Sequence, residues 1–204
     1  MIVKVCGMRD ADNIRAVEQN GADWMGFIFY ERSPRYVASP PAYLPERCKR
    51  TGVFVNAPIF TIQSHISTYH LDMIQLHGNE SPEYCRRIRQ LGLPVIKSLS
   101  IPPTEHFIRW KAYQDSADYL LFDTACTSYG GSGKRFDWSL LAQYKGEIPF
   151  LLSGGISSSH LAEIRQFNHP RWIGVDLNSG FESAPGIKDA SLLHSFIHKL
   201  KNHL

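Results

Sequence analysis

The chain has 204 residues, of which 43% are hydrophobic and 20% charged, and its net charge is +3 at neutral pH. Such values are typical of a globular protein with an ordinary core. Because the basic residues do not collect into one stripe, we do not expect a nucleic-acid-binding protein. Because no apolar run approaches the ~20 residues of a spanning helix, we expect no membrane partner.

Eight short apolar runs follow one another along the chain. Each has four to six residues and is almost continuously apolar, which is typical of strands that are buried on both faces. The runs cover Ile2–Cys6, Trp24–Phe29, Thr51–Val55, Met73–Leu76, Pro94–Ser98, Tyr119–Phe122, Pro149–Leu152 and Trp172–Val175.

The segments between these runs have the spacing of amphipathic helices. Ser81 followed by Pro82 predicts a helix start, and Asp189 opens a last helix whose apolar residues repeat at helical intervals. Eight strands alternating with about eight helices predict parallel βαβ units. An open doubly wound sheet also fits, but eight regular units favour one α/β domain over residues 1–204, a (β/α)8 TIM barrel with its active site at the carboxyl ends of the strands.

Two strand ends carry groups suited to proton transfer. Cys6 ends the first run directly before Gly7, and Asp123 follows the apolar run that ends at Phe122. A thiolate is a good base or nucleophile where a positive field favours it, and a carboxylate at a buried strand end is costly unless it has a function. The alternative interpretations are a core thiol and a turn aspartate.

Other strand ends carry groups that bind anions or make polar contacts. Arg32 and Arg35 lie after the second run, and an arginine fork binds a carboxylate or a phosphate at two points. His77 follows the fourth run, and we expect a non-catalytic contact or a structural role for it. The alternative for either arginine is an exposed surface position.

Glycine-rich segments follow the last three predicted strands. We interpret Gly130, Gly131, Ser132, Gly133 and Lys134 as a mobile lid, because Ser128 and Arg135 stand where a phosphate-binding P-loop needs Gly and Ser or Thr. Barrels commonly bind phosphate between the seventh and eighth loops. The candidates there are Ser153, Gly154, Gly155, Ser179 and Gly180, and the alternative is two ordinary glycine turns.

The sequence offers little support for a metal centre or a disulfide framework. The four cysteines at 6, 48, 85 and 126 have no CxxC spacing. His194 and His198 have metal spacing, but on a helix remote from the strand ends. With no signal peptide at an N-terminus that starts in a strand, we expect a cytoplasmic protein without a metal.

Taken together, these strand ends resemble the N-(5'-phosphoribosyl)anthranilate isomerase family of tryptophan biosynthesis. The matching segments occur in order over residues 4 to 189. They include Lys4-Val5-Cys6-Gly7, Ser33-Pro34-Arg35-Tyr36, Gln75-Leu76-His77-Gly78, Asp123-Thr124, Gly130-Gly131-Ser132-Gly133-Lys134, Leu152-Ser153-Gly154-Gly155, Val175-Asp176, Ser179-Gly180, Glu182 and Lys188-Asp189.

The resemblance implies a cofactor-free Amadori rearrangement of N-(5-phosphoribosyl)anthranilate to 1-(2-carboxyphenylamino)-1-deoxyribulose 5-phosphate. It implies that Cys6 is the general base, that Asp123 is the general acid and that Arg35 binds the anthranilate carboxylate. Asp176 also matches the family, and its role stays open. The implied partners are this small substrate and, as candidates, other tryptophan-pathway enzymes.

Three alternatives to this function remain. Another phosphosugar isomerase or epimerase fits the same barrel, although a metal-dependent epimerase needs inward His and Asp ligands. A non-catalytic phosphosugar-binding module would not need Cys6 or Asp123. A thiol redox protein would need a resolving cysteine, for which Cys126 is the candidate.

Overall fold

The structure is a computed structural model that describes residues 1–101, 109–124 and 137–202. Eight parallel strands pair in chain order, and β8 pairs with β1 to close a barrel, which confirms the predicted fold. The strands are β1 (Ile2–Cys6), β2 (Trp24–Ile28), β3 (Lys49–Phe54), β4 (Met73–Leu76), β5 (Val95–Ile101), β6 (Tyr119–Thr124), β7 (Phe150–Leu152) and β8 (Trp172–Leu177).

Five α-helices and one short hairpin lie among the described residues. The helices are α1 (Ala11–Gln19), α2 (Ile59–Tyr69), α3 (Pro82–Arg89), α4 (Leu161–Gln166) and α5 (Ala190–Lys201), and the antiparallel hairpin is β9 (Glu182–Ala184) with β10 (Ile187–Lys188). The Ser81 side chain accepts from the Tyr84 N–H and that of Asp189 accepts from the Leu192 N–H, so both predicted helix starts are confirmed.

The expectation of about eight helices is wrong for the connection between β2 and β3. That connection is fully described and contains no helix. Prolines at positions 34, 40, 41 and 45 explain this, because each removes a backbone donor and disfavours helical geometry in the preceding residue. In the described parts of the two connections that flank β6, the helices are 3-10 helices, at Arg109–Tyr113 and Trp138–Gln143.

The barrel interior changes from apolar to polar towards the carboxyl ends of the strands. A small apolar cluster, separate from the large core that includes helix residues, is formed by Trp24, Met73, Ile96, Leu121 and Leu151. Side chains two positions further along a strand lie on the same face. The next interior positions are therefore polar and include Gln75, Ser98, Asp123 and Ser153. The barrel interior is thus apolar in its middle layer and more polar near the carboxyl ends of the strands.

Among the described residues, no helix is both long and apolar enough to cross a bilayer.

Candidate active site

An open cavity lies at the carboxyl ends of the strands, and the empty space in and above it, open solvent included, is about 980 Å3. Each of the eight strands, or the residue that directly follows it, contributes a side chain to the lining of this cavity. One lining residue per strand, in order, is Cys6, Ile28, Val53, Gln75, Ser100, Asp123, Ser153 and Asp176. The cavity therefore collects most of the predicted site residues at one place.

Cys6 ends β1 and its side chain is 96% buried, with only 4% of its surface exposed. Its register partner on β2 is Gly26, where an added Cβ would lie 2.6 Å from the Cys6 Sγ. Gly26 thus supplies the space that the thiol occupies. Our sequence analysis missed this role, although a glycine inside an otherwise bulky strand often marks a close approach.

Two lysines counter the effect of burial on the Cys6 thiol. Burial raises the pKa of Cys6, the positive charges of Lys4 and Lys188 lower it, and the negative charge of Asp176 raises it. The net pKa lies above the ordinary value of 9.0, so Cys6 is a thiol at rest. The sequence analysis found no cation for Cys6, but a lysine within the buried strand Ile2–Cys6 was the available indication.

Asp176 is the ion-pair partner of Lys4. The Lys4 Nζ lies 2.7 Å from the Asp176 Oδ1, and the Ser153 hydroxyl donates to Asp176 Oδ2 at 3.3 Å. Burial lowers the pKa of Lys4, but Asp176 and Cys6 outweigh burial and the pKa is raised. Lys4 therefore stays charged beneath the thiol. The role of Asp176, which the sequence left open, therefore includes pairing with the charge of Lys4.

Asp123 is the penultimate residue of β6 and lies beside His77, which follows β4. The His77 Nε2 lies 3.4 Å from the Asp123 Oδ2, and the Thr124 N–H donates to Asp123 Oδ1 at 2.8 Å. The Gln75 amide nitrogen lies 3.0 Å from His77 Nδ1. Nδ1 of His77 thus faces the Gln75 amide, and Nε2 faces Asp123. Gln75 was not among the predicted site residues.

Gly154 fits closely against the Asp123 carboxylate. Its φ is +85°, and an added Cβ would lie 2.3 Å from the Thr124 Oγ1 and 2.8 Å from the Asp123 Oδ1. Only glycine both adopts this backbone conformation easily and leaves that space. The loop after β7 therefore reaches the Asp123 carboxylate near the end of β6.

Arg35 lines the cavity and is itself buried, with 7% exposure. Its Nε donates to Glu182 Oε1 at 2.8 Å and its Nη2 donates to Glu182 Oε2 at 2.6 Å. The alternative of an exposed surface arginine is therefore wrong for Arg35. Glu182 belongs to the segments that resemble the family, but the sequence does not predict its contact with Arg35.

The predicted phosphate residues divide into two groups. Ser153, Gly154, Gly155 and Ser179 line the cavity at the ends of β7 and β8. Gly180 is exposed and sits against the neighbouring loop, where an added Cβ would lie 2.2 Å from the Ile156 carbonyl oxygen. The two glycine-containing loops thus touch at the rim of the cavity.

The remaining predicted residues are not among the described residues that line the cavity. The predicted lid, Gly130 to Lys134, and Cys126 of the redox alternative lie outside the described residues. His194 and His198 are exposed on α5, with ring centroids 6.2 Å apart. Within 1–101, 109–124 and 137–202, no three His, Cys, Asp or Glu side chains form a group that could hold a metal ion.

Comparison with known proteins identifies the family. Residues 3–199 match the family model described as N-(5'phosphoribosyl)anthranilate (PRA) isomerase. The chain is 52% identical over 204 residues to the N-(5'-phosphoribosyl)anthranilate isomerase of Phocaeicola vulgatus, with 100% of both chains covered. It is also 52% identical to the enzyme of that name from Parabacteroides distasonis, covering 98% of this chain and 93% of the relative.

Solved structures of that name share the same fold. The phosphoribosyl anthranilate isomerase of Thermotoga maritima aligns with a TM-score of 0.86 at 35% identity, covering 98% of this chain and 99% of the other. Another, in complex with reduced 1-(o-carboxyphenylamino)-1-deoxyribulose 5-phosphate, aligns at 0.83 with 32% identity and covers 98% and 99%. The chain therefore belongs to the N-(5'-phosphoribosyl)anthranilate isomerase family.

Proposed function

We propose a mechanism by which this family member isomerises N-(5-phosphoribosyl)anthranilate, an aminoaldose, to 1-(2-carboxyphenylamino)-1-deoxyribulose 5-phosphate, an aminoketose, in tryptophan biosynthesis. The observation that supports it most is the presence of Cys6 and Asp123 in one cavity of a chain that matches the family over nearly its whole length. A thiol and a carboxyl group together supply the base and the acid that an Amadori rearrangement needs.

Asp123 acts first, as the general acid. Its carboxyl group gives a proton to the ring oxygen of the ribose, the bond from C1′ to that oxygen breaks, and the nitrogen lone pair forms a C1′=N bond. The product is a protonated Schiff base. His77, 3.4 Å from Asp123 Oδ2, and the Thr124 N–H orient the carboxyl group for this step.

Cys6 then acts as the general base. Its thiolate takes the proton from C2′, whose bonding electrons form a C1′=C2′ bond while the C1′=N electrons return to nitrogen. The resulting enolamine becomes the ketone when the C2′ hydroxyl loses its proton and C1′ gains one. Because one proton reaches the ring oxygen and one leaves C2′, the product is an isomer of the substrate.

The charge around Cys6 suits a base that is needed only when substrate is present. Burial keeps Cys6 protonated at rest, while Lys4 and Lys188 favour the thiolate. A protonated Schiff base brings a further positive charge beside the thiol and acidifies the C2′ proton. We therefore infer that the thiol gives its proton to solvent in the complex rather than in the free enzyme; at the end of the reaction Cys6 keeps the C2′ proton and Asp123 takes a proton back from solvent.

Two anchors hold the substrate across the cavity. Arg35 binds the anthranilate carboxylate, and Gly154, Gly155 and Ser179 bind the phosphate through backbone N–H groups and the Ser179 hydroxyl. Ser153 shapes this loop from below, because its N–H and hydroxyl are already donated to the Phe122 carbonyl and to Asp176. Fixing both ends places C2′ and the ring oxygen between base and acid. Gly180 supports the phosphate loop through its contact with Ile156 rather than by lining the cavity.

A fluorescence assay with freshly prepared phosphoribosylanthranilate tests the function. Purified protein should convert the substrate, and the product should be the aminoketose. No conversion by folded wild-type protein would contradict the proposal. Retention of full activity by a double variant, Cys6→Ala with Asp123→Asn, would leave isomerisation intact but contradict the assigned acid and base.

A further inference from the structure

Glu182 holds the two cations that flank one side of the cavity. It lies at the start of β9, directly after the 3-10 turn that follows β8, and its side chain is 6% exposed. Its two carboxylate oxygens accept from the Nε and Nη2 of Arg35 at 2.8 and 2.6 Å. This is a bidentate pairing, which fixes both the position and the plane of a guanidinium group.

The same carboxylate also holds Lys188. The Lys188 Nζ lies 2.6 Å from Glu182 Oε1 and 2.8 Å from the Asn178 Oδ1, and the Gly186 N–H donates to Glu182 Oε1 at 3.0 Å. Lys188 is 2% exposed, and its charge acts on Cys6. Glu182 is therefore shared between the arginine of the carboxylate site and a lysine beside the base.

The group formed by Glu182, Arg35 and Lys188 carries more positive than negative charge. Burial lowers the pKa of Lys188, and its contact with Glu182 raises it. With Lys188 protonated, Glu182 contributes one negative charge and Arg35 and Lys188 contribute two positive charges. A buried excess of positive charge favours an anion nearby. Arg35 uses its Nε and Nη2 on Glu182, which leaves its Nη1 among the donors available to a second carboxylate in the cavity that Arg35 lines.

We propose that Glu182 is a positioning residue: it orients Arg35 for the anthranilate carboxylate and holds Lys188 beside Cys6. Without Glu182, Arg35 would be a long side chain with many rotamers and would lose conformational entropy on each binding event. Glu182 does not touch the reacting atoms. The inference rests on the proposed function, because it assumes that Arg35 receives the substrate carboxylate.

The test compares ligands with and without that carboxylate. The probes are the reduced 1-(o-carboxyphenylamino)-1-deoxyribulose 5-phosphate and its analogue lacking the carboxyl group, titrated calorimetrically into wild type and Glu182→Gln. The glutamine keeps the side-chain length but loses the charge and puts an NH2 group opposite a donor of Arg35. We expect the preference for the carboxylate to fall about tenfold or more, with less change in affinity for the analogue.

A double-mutant cycle separates positioning from general support. Arg35→Ala should lower the carboxylate preference, and adding Glu182→Gln to it should change the preference little further. Ser183→Ala, an exposed position on the same hairpin, is the matched control and should keep the wild-type preference. If Glu182→Gln does not fold, Glu182→Asp is measured in the same way, because its shorter side chain cannot keep both contacts.

An unchanged carboxylate preference in Glu182→Gln or Glu182→Asp would overturn the inference, as would effects that add fully to those of Arg35→Ala. Isomerisation by wild type is measured beside these titrations. Lack of that activity would contradict the proposed function, whereas an active wild type with an unchanged preference would contradict only the role of Glu182.

Discussion

Replacing Lys4 by Met tests the ion pair beneath the thiol. The substitution keeps a long unbranched side chain but removes the charge 2.7 Å from Asp176 Oδ1, leaving Asp176 with the Ser153 hydroxyl at 3.3 Å. Both partners are buried, with side-chain exposures of 0% and 6%. Removing one partner of a buried pair costs about 3–5 kcal/mol, because the other charge is left uncompensated.

Urea unfolding measures this loss, and a second variant identifies its cause. We expect Lys4→Met to lower the free energy of unfolding by about 3–5 kcal/mol. Adding Asp176→Asn removes the stranded charge and should restore more than half of that loss. A double variant no more stable than Lys4→Met would refute the reasoning, because the cost would then come from packing.

The same substitution also changes the ionisation of Cys6. Lys4 lowers the pKa of the thiol, so its removal should raise that pKa. Because only the thiolate reacts with iodoacetamide, the rise of the alkylation rate with pH should move to higher pH in Lys4→Met. An unchanged profile, with the alkylation of Cys48, Cys85 and Cys126 accounted for by a Cys6→Ala control, would show that Lys4 does not act on the thiol.

Three further predictions follow from individual contacts. Gly26→Ala puts a Cβ 2.6 Å from the Cys6 Sγ, so kcat should fall by about tenfold or more with KM little changed, and an unchanged kcat would contradict the placement of the thiol. Arg35→Ala should raise KM by about ten- to a hundredfold and change kcat less; steady-state kinetics that leave KM untouched would refute its role. Burial opposes ionisation of Glu182, but Arg35 and Lys188 lower its pKa to about 2. Its stabilising effect is thus complete above the unfolded value of about 4.3 and is lost as the pH falls towards 2. The acid-induced loss of stability, followed by circular dichroism, should be shallower in Glu182→Gln than in wild type, and equal slopes would contradict the shift.

Local pattern predicts the barrel well, because most of the strands contain a short apolar run and most of the units repeat the same order of strand and helix. The rule that barrel sites lie at the carboxyl strand ends then locates Cys6 and Asp123 without knowledge of the contacts. The helix missing between β2 and β3 could have been anticipated from the four prolines at positions 34, 40, 41 and 45.

The charged contacts could not be predicted in this way, because they join distant parts of the chain. Lys4 and Asp176 are 172 residues apart, and Arg35 and Glu182 are 147 apart. Their pairing depends on the register with which β8 closes onto β1 and on the hairpin that follows β8. A buried lysine within β1 indicates that a partner exists, but only the closed barrel identifies Asp176 as that partner.

In the proposed mechanism Cys6 removes the C2′ proton and Asp123 opens the ribose ring. Steady-state isomerisation of freshly prepared phosphoribosylanthranilate by wild type, Cys6→Ala and Asp123→Asn tests it most directly, with circular dichroism to verify folding. We expect each variant to fold and to have a kcat lower than that of wild type by at least about 10²-fold. A folded variant of either kind with kcat within tenfold of wild type would contradict it.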